Sequence, residues 1–117
     1  MALSIKPYIE NKERIHLIGI GGVSMNSLGE LLLSRGVPIS GSDRLRTDVT
    51  ARLEALGAKI TYEHKPENVE GASLIVRTAA VHDDNPEIVR AHELGIPVME
   101  RAEAWGHLMR SEEHTSE

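Results

Sequence analysis

The clearest chemical signal in the sequence is a group of glycines between an apolar run and an amphipathic segment. It reads Gly19-Ile20-Gly21-Gly22-Val23-Ser24-Met25. Glycines permit a tight turn and let a phosphate come close to the backbone, and the start of the following helix offers unpaired N–H groups to an anion. The pattern predicts a phosphate site, with a tight turn that binds nothing as the alternative. The residues assigned to this site are Gly19, Gly21, Gly22, Val23, Ser24 and Met25.

As a dinucleotide fingerprint the glycine pattern is incomplete. The pattern G-x-G-x-x-G requires a glycine at position 24, where this chain has Ser24. Asp43 stands 22 residues after Gly21 (43 − 21), and an acid about 20 residues after the glycines commonly binds a ribose hydroxyl. A helix-capping or solvated aspartate is the alternative. Taken alone, these features favour NAD as strongly as any other nucleotide.

A third group of candidate residues, Thr78-Ala79-Ala80-Val81, follows a later apolar run. Small residues at the carboxyl edge of a parallel sheet leave room for a ligand, and a threonine there adds a hydroxyl group. A loop that only crosses the sheet is the alternative. The residues assigned to binding in this group are Thr78, Ala79 and Ala80.

Metal-binding and catalytic patterns are absent from the sequence. The six histidines lack metal-ligand spacing, and His82-Asp83-Asp84 is more typical of a solvated loop. His16 and His64 are expected to have structural roles. No Ser/His/acid set can be assigned from spacing, and the P-loop pattern G-x-x-x-x-G-K-[ST] does not occur. We therefore predict no catalytic residue, no metal and no cofactor within this chain.

The elements that must position these residues follow a recurring pattern. A helical segment ends in glycine shortly before a β-rich run at Gly36, Gly57 and Gly95, and glycine is the usual residue just after a helix. Short strands that alternate with helices indicate βαβ units. We predict an α/β fold, a Rossmann-like three-layer domain with a mostly parallel five-stranded sheet. The predicted strands cover residues 15–20, 37–41, 59–62, 74–77 and 97–99, and the predicted helices cover 22–35, 47–56, a segment begun by Asn85 and Pro86, and 102–109.

The composition argues against a nucleic-acid-binding protein and against a membrane protein. The net charge of −5, the lack of a basic cluster and an aromatic content of 3% argue against a nucleic-acid partner. There is no cysteine, no signal peptide and no apolar run of membrane-span length, so we expect a cytoplasmic protein without a membrane partner. We place one domain at residues 1–109. Residues 110–117 resemble the translation of a sequencing-library adapter and are expected to be a non-native tail, with a native linker as the alternative.

Taken together, the motifs resemble the Mur ligase family, over about residues 13 to 109. The resemblance points to the N-terminal domain of the ligase that joins L-alanine to UDP-N-acetylmuramic acid. It implies that Gly19 to Ser24 face the diphosphate, that Ser42 and Asp43 lie near the uridine, and that Thr78 to Val81 line the same cleft. The segments that carry it are Ile15 to Met25, Ser40 to Asp43, Arg52 to Ala58, Asn85 to Glu87 and Arg101 to Glu103.

The resemblance also implies parts that this chain lacks. In the family a central domain binds ATP and Mg²⁺ on a P-loop, and a C-terminal domain receives the amino acid. ATP phosphorylates the muramic acid carboxylate and the amine of L-alanine attacks the acyl phosphate, in the synthesis of peptidoglycan precursors. The chain is therefore expected to be a fragment that is inactive alone.

Two residues depart from the family pattern, and two alternatives stay open. Ser24 stands where the family usually has glycine, and there its side chain crowds the turn or its hydroxyl adds a phosphate contact. Arg77 stands where small or apolar residues are common, and is expected either to pair with phosphate or to be exposed. A ligase that recycles murein tripeptide is the rival within the family. An NAD(P)-binding module of a dehydrogenase or redox sensor is the alternative outside it.

Overall fold

The computed structural model describes residues 4–115, with the side chains of residues 4–108. The strands are β1 Ile15–Ile18, β2 Ile39–Ser42, β3 Lys59–Thr61, β4 Leu74–Arg77 and β5 Val98–Glu100. The helices are α1 Lys6–Glu10, α2 Val23–Ser34, α3 Asp48–Ala55, α4 Pro86–Glu93 and α5 Arg101–Thr115, with a short 3₁₀ helix at Pro66–Val69. Across residues 4–115, no helix combines the length and the apolar character that crossing a membrane requires.

The five strands form one sheet in the order β3-β2-β1-β4-β5, and every neighbouring pair is parallel. Side chains alternate between the two faces of a strand, so Leu17 lies on one face of β1 while His16 and Ile18 lie on the other. Leu17 belongs to a core cluster formed with residues of α2, α3 and α5. Ile18 belongs to a second cluster, with residues of α4 and the 3₁₀ helix. The predicted three-layer α/β fold is therefore confirmed.

Side-chain caps define where two of the helices begin. The Thr47 hydroxyl accepts from the backbone N–H of Thr50, and the Thr50 hydroxyl accepts from that of Thr47, so the first turn of α3 is capped reciprocally. The Asn85 side chain accepts from the backbone N–H of Glu87 at 2.9 Å, and Pro86 is the first residue of α4. Both helix starts agree with the sequence prediction, because a cap side chain bonds to an amide only two or three residues further along the chain.

Several element boundaries differ from the prediction. β1 ends at Ile18 and not at Ile20, because Gly19 has a φ of 77° and turns the chain. β2 is shifted to Ile39–Ser42 because its pairing with β1 begins at Ile39. Helix α1 and the 3₁₀ helix were not predicted. Helix α5 continues to Thr115, through most of the segment that was set aside as a tail, and residues 116 and 117 lie outside the described residues.

Candidate functional site

The predicted site residues meet at the carboxyl edge of the sheet. β2 and β3 lie on one side of β1, and β4 and β5 lie on the other, so the strand order changes direction between β1 and β4. Ligands of open α/β sheets bind in the crevice at such a switch point. The segment Gly19–Met25 follows β1, Ser42 is the last residue of β2 and Asp43 follows it, and Thr78–Ala80 follow β4. The topology thus brings three distant parts of the sequence to one edge.

Most amides of the glycine segment are already bonded within the protein. The N–H groups of Gly19 and Ile20 both donate to the Ser42 carbonyl oxygen, at 2.8 and 3.0 Å. The Gly22 N–H donates to the Gly19 oxygen at 3.0 Å, and the Gly21 N–H donates to Asp43 Oδ2 at 2.8 Å. The glycines therefore shape the turn, and their N–H groups are not directed at a ligand.

In this segment, the amides without a hydrogen-bond partner among residues 4–115 belong to the three residues that follow Gly22. Gly22 is the N-cap of α2 and offers no capping side chain. The N–H groups of Val23, Ser24 and Met25 have no hydrogen-bond partner among the described residues. Three N–H groups at the start of a twelve-residue helix, together with its dipole, favour an anion. The candidate phosphate site is thus the first turn of α2.

The Ser24 side chain joins α2 to α5. Its hydroxyl oxygen accepts from Arg101 Nη1 at 2.9 Å and from Trp105 Nε1 at 3.1 Å. The side chain therefore points toward α5, which explains how the turn accommodates a serine where the dinucleotide pattern has glycine. The hydroxyl of Ser24 is thus occupied, while its backbone N–H, like those of Val23 and Met25, is unpaired among the residues that the structure describes.

Asp43 holds the glycine segment against the loop after β2. Besides accepting from Gly21, its carboxylate accepts from the N–H groups of Arg44 at 2.8 Å and Leu45 at 3.3 Å. A Cβ atom at Gly21 would lie 2.8 Å from Asp43 Oδ2 and 3.0 Å from Thr50 Cγ2, so this glycine is required by close approach. The structure gives Asp43 a supporting role, and its contact with a ribose stays a prediction.

Arg77 organises the loop after β4. It donates to Asp83 Oδ1 at 2.6 Å and to the Val81 carbonyl oxygen. The hydrogen bond and the charge of Arg77 lower the pKa of the Asp83 carboxyl. Arg77 is thus paired within its own loop, and that loop carries the half-buried Thr78 and the exposed Ala79 and Ala80. A cavity of about 500 Å³ at the ends of β4 and β5 is lined by Arg77, Ala79, Asp83, His92, Val98, Met99 and Glu100.

A buried polar network beneath this edge was missed by the sequence analysis. Its centre is Glu87, in the first turn of α4, which has no exposed surface. His16 Nε2 and the Ser42 hydroxyl contact Glu87 Oε1, the latter at 3.0 Å. His64 Nδ1 contacts Glu87 Oε2 at 2.8 Å, and Asn68 Nδ2 lies 3.4 Å from the same oxygen. The Ser42 side chain is therefore committed to this network, and direct contact between Ser42 and a nucleotide stays a prediction.

One assignment of protons satisfies the network. Arg14 Nε–H donates to Ser40 Oγ at 3.0 Å, and the Ser40 hydroxyl donates to His16 Nδ1 at 2.9 Å. His16 Nε2–H then donates to Glu87. Burial raises the pKa of Glu87, but the hydrogen bonds from His16, Ser42 and His64 outweigh it, so the pKa lies below its ordinary value.

One signal in the sequence could have revealed the network. His16 stands within an apolar strand, and a buried imidazole requires a partner for each ring nitrogen. No binding or catalytic role was predicted for Glu87 from the sequence, although its carboxylate contacts His16 of β1 and Ser42 of β2. In the described part of the chain, no group of three or more His, Asp or Glu side chains is arranged to hold a metal ion.

Comparisons with known proteins agree with this architecture. The family model for "Mur ligase family, catalytic domain" matches residues 14–113. The UDP-N-acetylmuramate–L-alanine ligase of Clostridium novyi (strain NT) is 46% identical over 105 residues, which cover 90% of this chain and 23% of that protein. The ligase of the same name from Geobacter sp. (strain M21) is 50% identical over 98 residues, which cover 84% of this chain and 21% of that protein. The chain thus spans less than a quarter of the length of these relatives.

Two solved structures share the fold of this chain. The UDP-N-acetylmuramate-alanine ligase of Thermotoga maritima superposes with a TM-score of 0.76 at 36% identity, over 88% of this chain and 23% of that one. Shikimate dehydrogenase from Aquifex aeolicus superposes with a TM-score of 0.56 at 18% identity, over 84% of this chain and 46% of that one, which shows a shared fold alone. With the match over residues 14–113 and the fold both in agreement, the chain belongs to the Mur ligase family.

Proposed function

We propose that this chain binds the UDP part of UDP-N-acetylmuramic acid and serves the ATP-dependent ligation of L-alanine in peptidoglycan precursor synthesis. The observation that carries the proposal is the first turn of α2, whose three amides are unpaired and lie at the switch point of the sheet. The similarity to ligases named for UDP-N-acetylmuramate and L-alanine supports the choice of this nucleotide over a dinucleotide.

In this proposal the diphosphate lies against the amides of Val23, Ser24 and Met25. The nucleoside extends toward the end of β2, where Ser42 and Asp43 lie, because the nucleoside lies on the β2 side of the phosphates in related α/β folds. Thr78, Ala79 and Ala80 line the opposite wall of the crevice. The glycines at 19, 21 and 22 act indirectly, by shaping the turn that presents the amides.

The remaining chemistry belongs to parts of the enzyme other than residues 1–109, which we propose as the substrate-binding domain. The family resemblance implies that ATP and Mg²⁺ bind on a P-loop, and the P-loop pattern does not occur in the sequence of this chain. We accordingly propose that a central ATP-binding domain and a C-terminal domain are partners of this one, and that this chain alone forms no amide bond. The reaction is placed in the cytoplasm, where ATP is available.

The decisive experiment is a titration of the chain with UDP-N-acetylmuramate and, separately, with NADH, followed by amide NMR. We expect dissociation constants between micromolar and millimolar, roughly −8 to −4 kcal/mol. Shifts at Val23, Ser24 and Met25 with the UDP compound alone would support the proposal. Shifts with NADH alone would replace it with a dinucleotide-binding function.

Two glycines provide a matched pair of variants for this titration. Gly19 and Gly95 have φ values of 77° and 72°, and a Cβ atom at either would meet nothing within 4 Å. Gly19→Ala and Gly95→Ala should therefore lose similar stability, about 1–2 kcal/mol, but only Gly19 lies at the carboxyl edge. We expect about tenfold weaker binding of UDP-N-acetylmuramate for Gly19→Ala alone. Equal affinity in the two variants would contradict the placement of the site.

A further inference from the structure

One side chain of the buried network, that of His64, is partly exposed to solvent. His16 and Glu87 are at most 1% exposed, whereas the side chain of His64 is 20% exposed. His64 Nδ1 lies 2.8 Å from Glu87 Oε2 and 3.1 Å from Ser42 Oγ. Its Nε2 atom has no hydrogen-bond partner within the part of the chain that the structure describes. The imidazole is thus held by one nitrogen while the other is available to a ligand.

His64 lies where a nucleoside would lie. It follows the carboxyl end of β3, and its contact with Ser42 places it at the end of β2. The backbone N–H of Asp43 donates to the Thr61 oxygen at 3.1 Å, which ties the loops after β2 and β3 together. A nucleotide whose phosphates lie at the start of α2 extends toward these loops. His64 is therefore on the nucleoside side of the crevice.

In the neutral imidazole, the network fixes which hydrogen-bonding role the free nitrogen has. An ionised carboxylate only accepts hydrogen bonds, so Nδ1 of His64 carries the proton that faces Glu87. In an imidazole with one proton, Nε2 is then an acceptor. Phosphate oxygens are acceptors as well and do not match it. The donors of a uridine nucleotide are its ribose hydroxyls, which we assign to Asp43, and the N3–H of its base.

We propose that His64 is a specificity-determining residue whose Nε2 accepts a hydrogen bond from the N3–H of the uracil base. The inference rests on the function proposed above. Cytosine has an acceptor at its N3 position, which would face the lone pair of Nε2. A site built in this way discriminates against the mismatched base because two acceptors are then left unpaired.

The test compares binding of UDP and CDP to the 117-residue chain and to three variants. The unmodified chain should prefer UDP, and His64→Ala should lose about tenfold in UDP affinity with little change for CDP. His64→Gln keeps an acceptor and should retain part of the preference. Lys59→Ala removes an exposed side chain at the amino end of β3, away from the carboxyl edge, and should behave like the unmodified chain. An unchanged preference for UDP in His64→Ala would overturn the inference.

Nitrogen-15 NMR of the imidazole tests the same inference independently of variants. His64 of the free chain should be the Nδ1–H tautomer, and its Nε2 resonance should move on addition of UDP and not of CDP. An Nε2–H tautomer, or a resonance unaffected by bound UDP, would overturn the role of His64 while leaving the proposed function intact. Failure of the unmodified chain to bind either UDP or UDP-N-acetylmuramate would instead overturn both.

Discussion

At the scale of single residues, the geometry of the candidate site depends on side chains that hold the glycine segment and the ends of β2 and β3 in position. Asp43 fixes Gly21, and Glu87 fixes Ser42 and His64. Gly21, Ser42 and Asp43 were predicted from the sequence as ligand contacts, whereas Glu87 and His64 were not. Spacing shows that Asp43 stands at the end of β2, but it does not show which way its carboxylate turns. That direction depends on where the Gly21 amide lies, which is a property of the folded chain.

Gly21→Ala should destabilise the chain by about 1–3 kcal/mol, the usual range for added atoms in a filled space. The added Cβ would lie 2.8 Å from Asp43 Oδ2, too close for the hydrogen bond between Asp43 and the Gly21 amide to persist. Urea denaturation of Gly21→Ala, Asp43→Ala and the double variant measures the coupling. The alanine at 21 should cost less when Asp43 is absent. Additive losses would show that Thr50, and not Asp43, makes Gly21 necessary.

At the scale of elements, the sequence predicted the fold better than it predicted the boundaries. Glycines after helices, the Asn85-Pro86 start and the alternation of strands and helices are local signals, and the structure confirms the α/β architecture they indicate. Helix α1 has only five residues and depends on burial of Ile5 in the core, which no local pattern reveals. The polar network was missed for the same reason, because 71 residues separate His16 from Glu87 along the chain.

Removal of a helix cap provides a test at this scale. Asn85→Ala should cost about 1 kcal/mol, because the Glu87 N–H loses its acceptor at the start of α4. Thr47→Ala should cost a similar amount at the start of α3. Only the first change lies next to Glu87, so it alone should move the imidazole NMR signals of His16 and His64. Equal effects of both variants on those signals would show that the network does not depend on the position of α4.

At the scale of the whole molecule, the buried carboxylate makes stability depend on pH. The pKa of Glu87 lies below its ordinary value of 4.5 in the folded chain. A group with a lowered folded pKa contributes stability above its unfolded pKa, and this contribution is lost as the pH falls through the folded value. We therefore expect thermal stability to fall as the pH is lowered below about 5, with Glu87 responsible for part of the loss.

Glu87→Gln isolates this contribution. The variant should be less stable than the unmodified chain at pH 7, by about 1–3 kcal/mol, because an amide cannot accept from all of the surrounding donors. Its melting temperature should change less between pH 7 and pH 3.5, because the titrating carboxylate is gone. Glu67→Gln alters an exposed carboxylate of the 3₁₀ helix and should follow the pH profile of the unmodified chain. Parallel profiles for Glu87→Gln and the unmodified chain would contradict this account.

The hydrogen bonds between Ser24 and α5 couple the position of α5 to the position of the Ser24 amide. One residue offers its amide to the proposed phosphate and its hydroxyl to Arg101 and Trp105. Displacement of α5 would therefore shift an amide of the proposed anion site, and we expect such a shift to change the free energy of nucleotide binding. Linkage is reciprocal, so a nucleotide that binds more tightly when α5 is docked must also hold α5 in place by the same free energy.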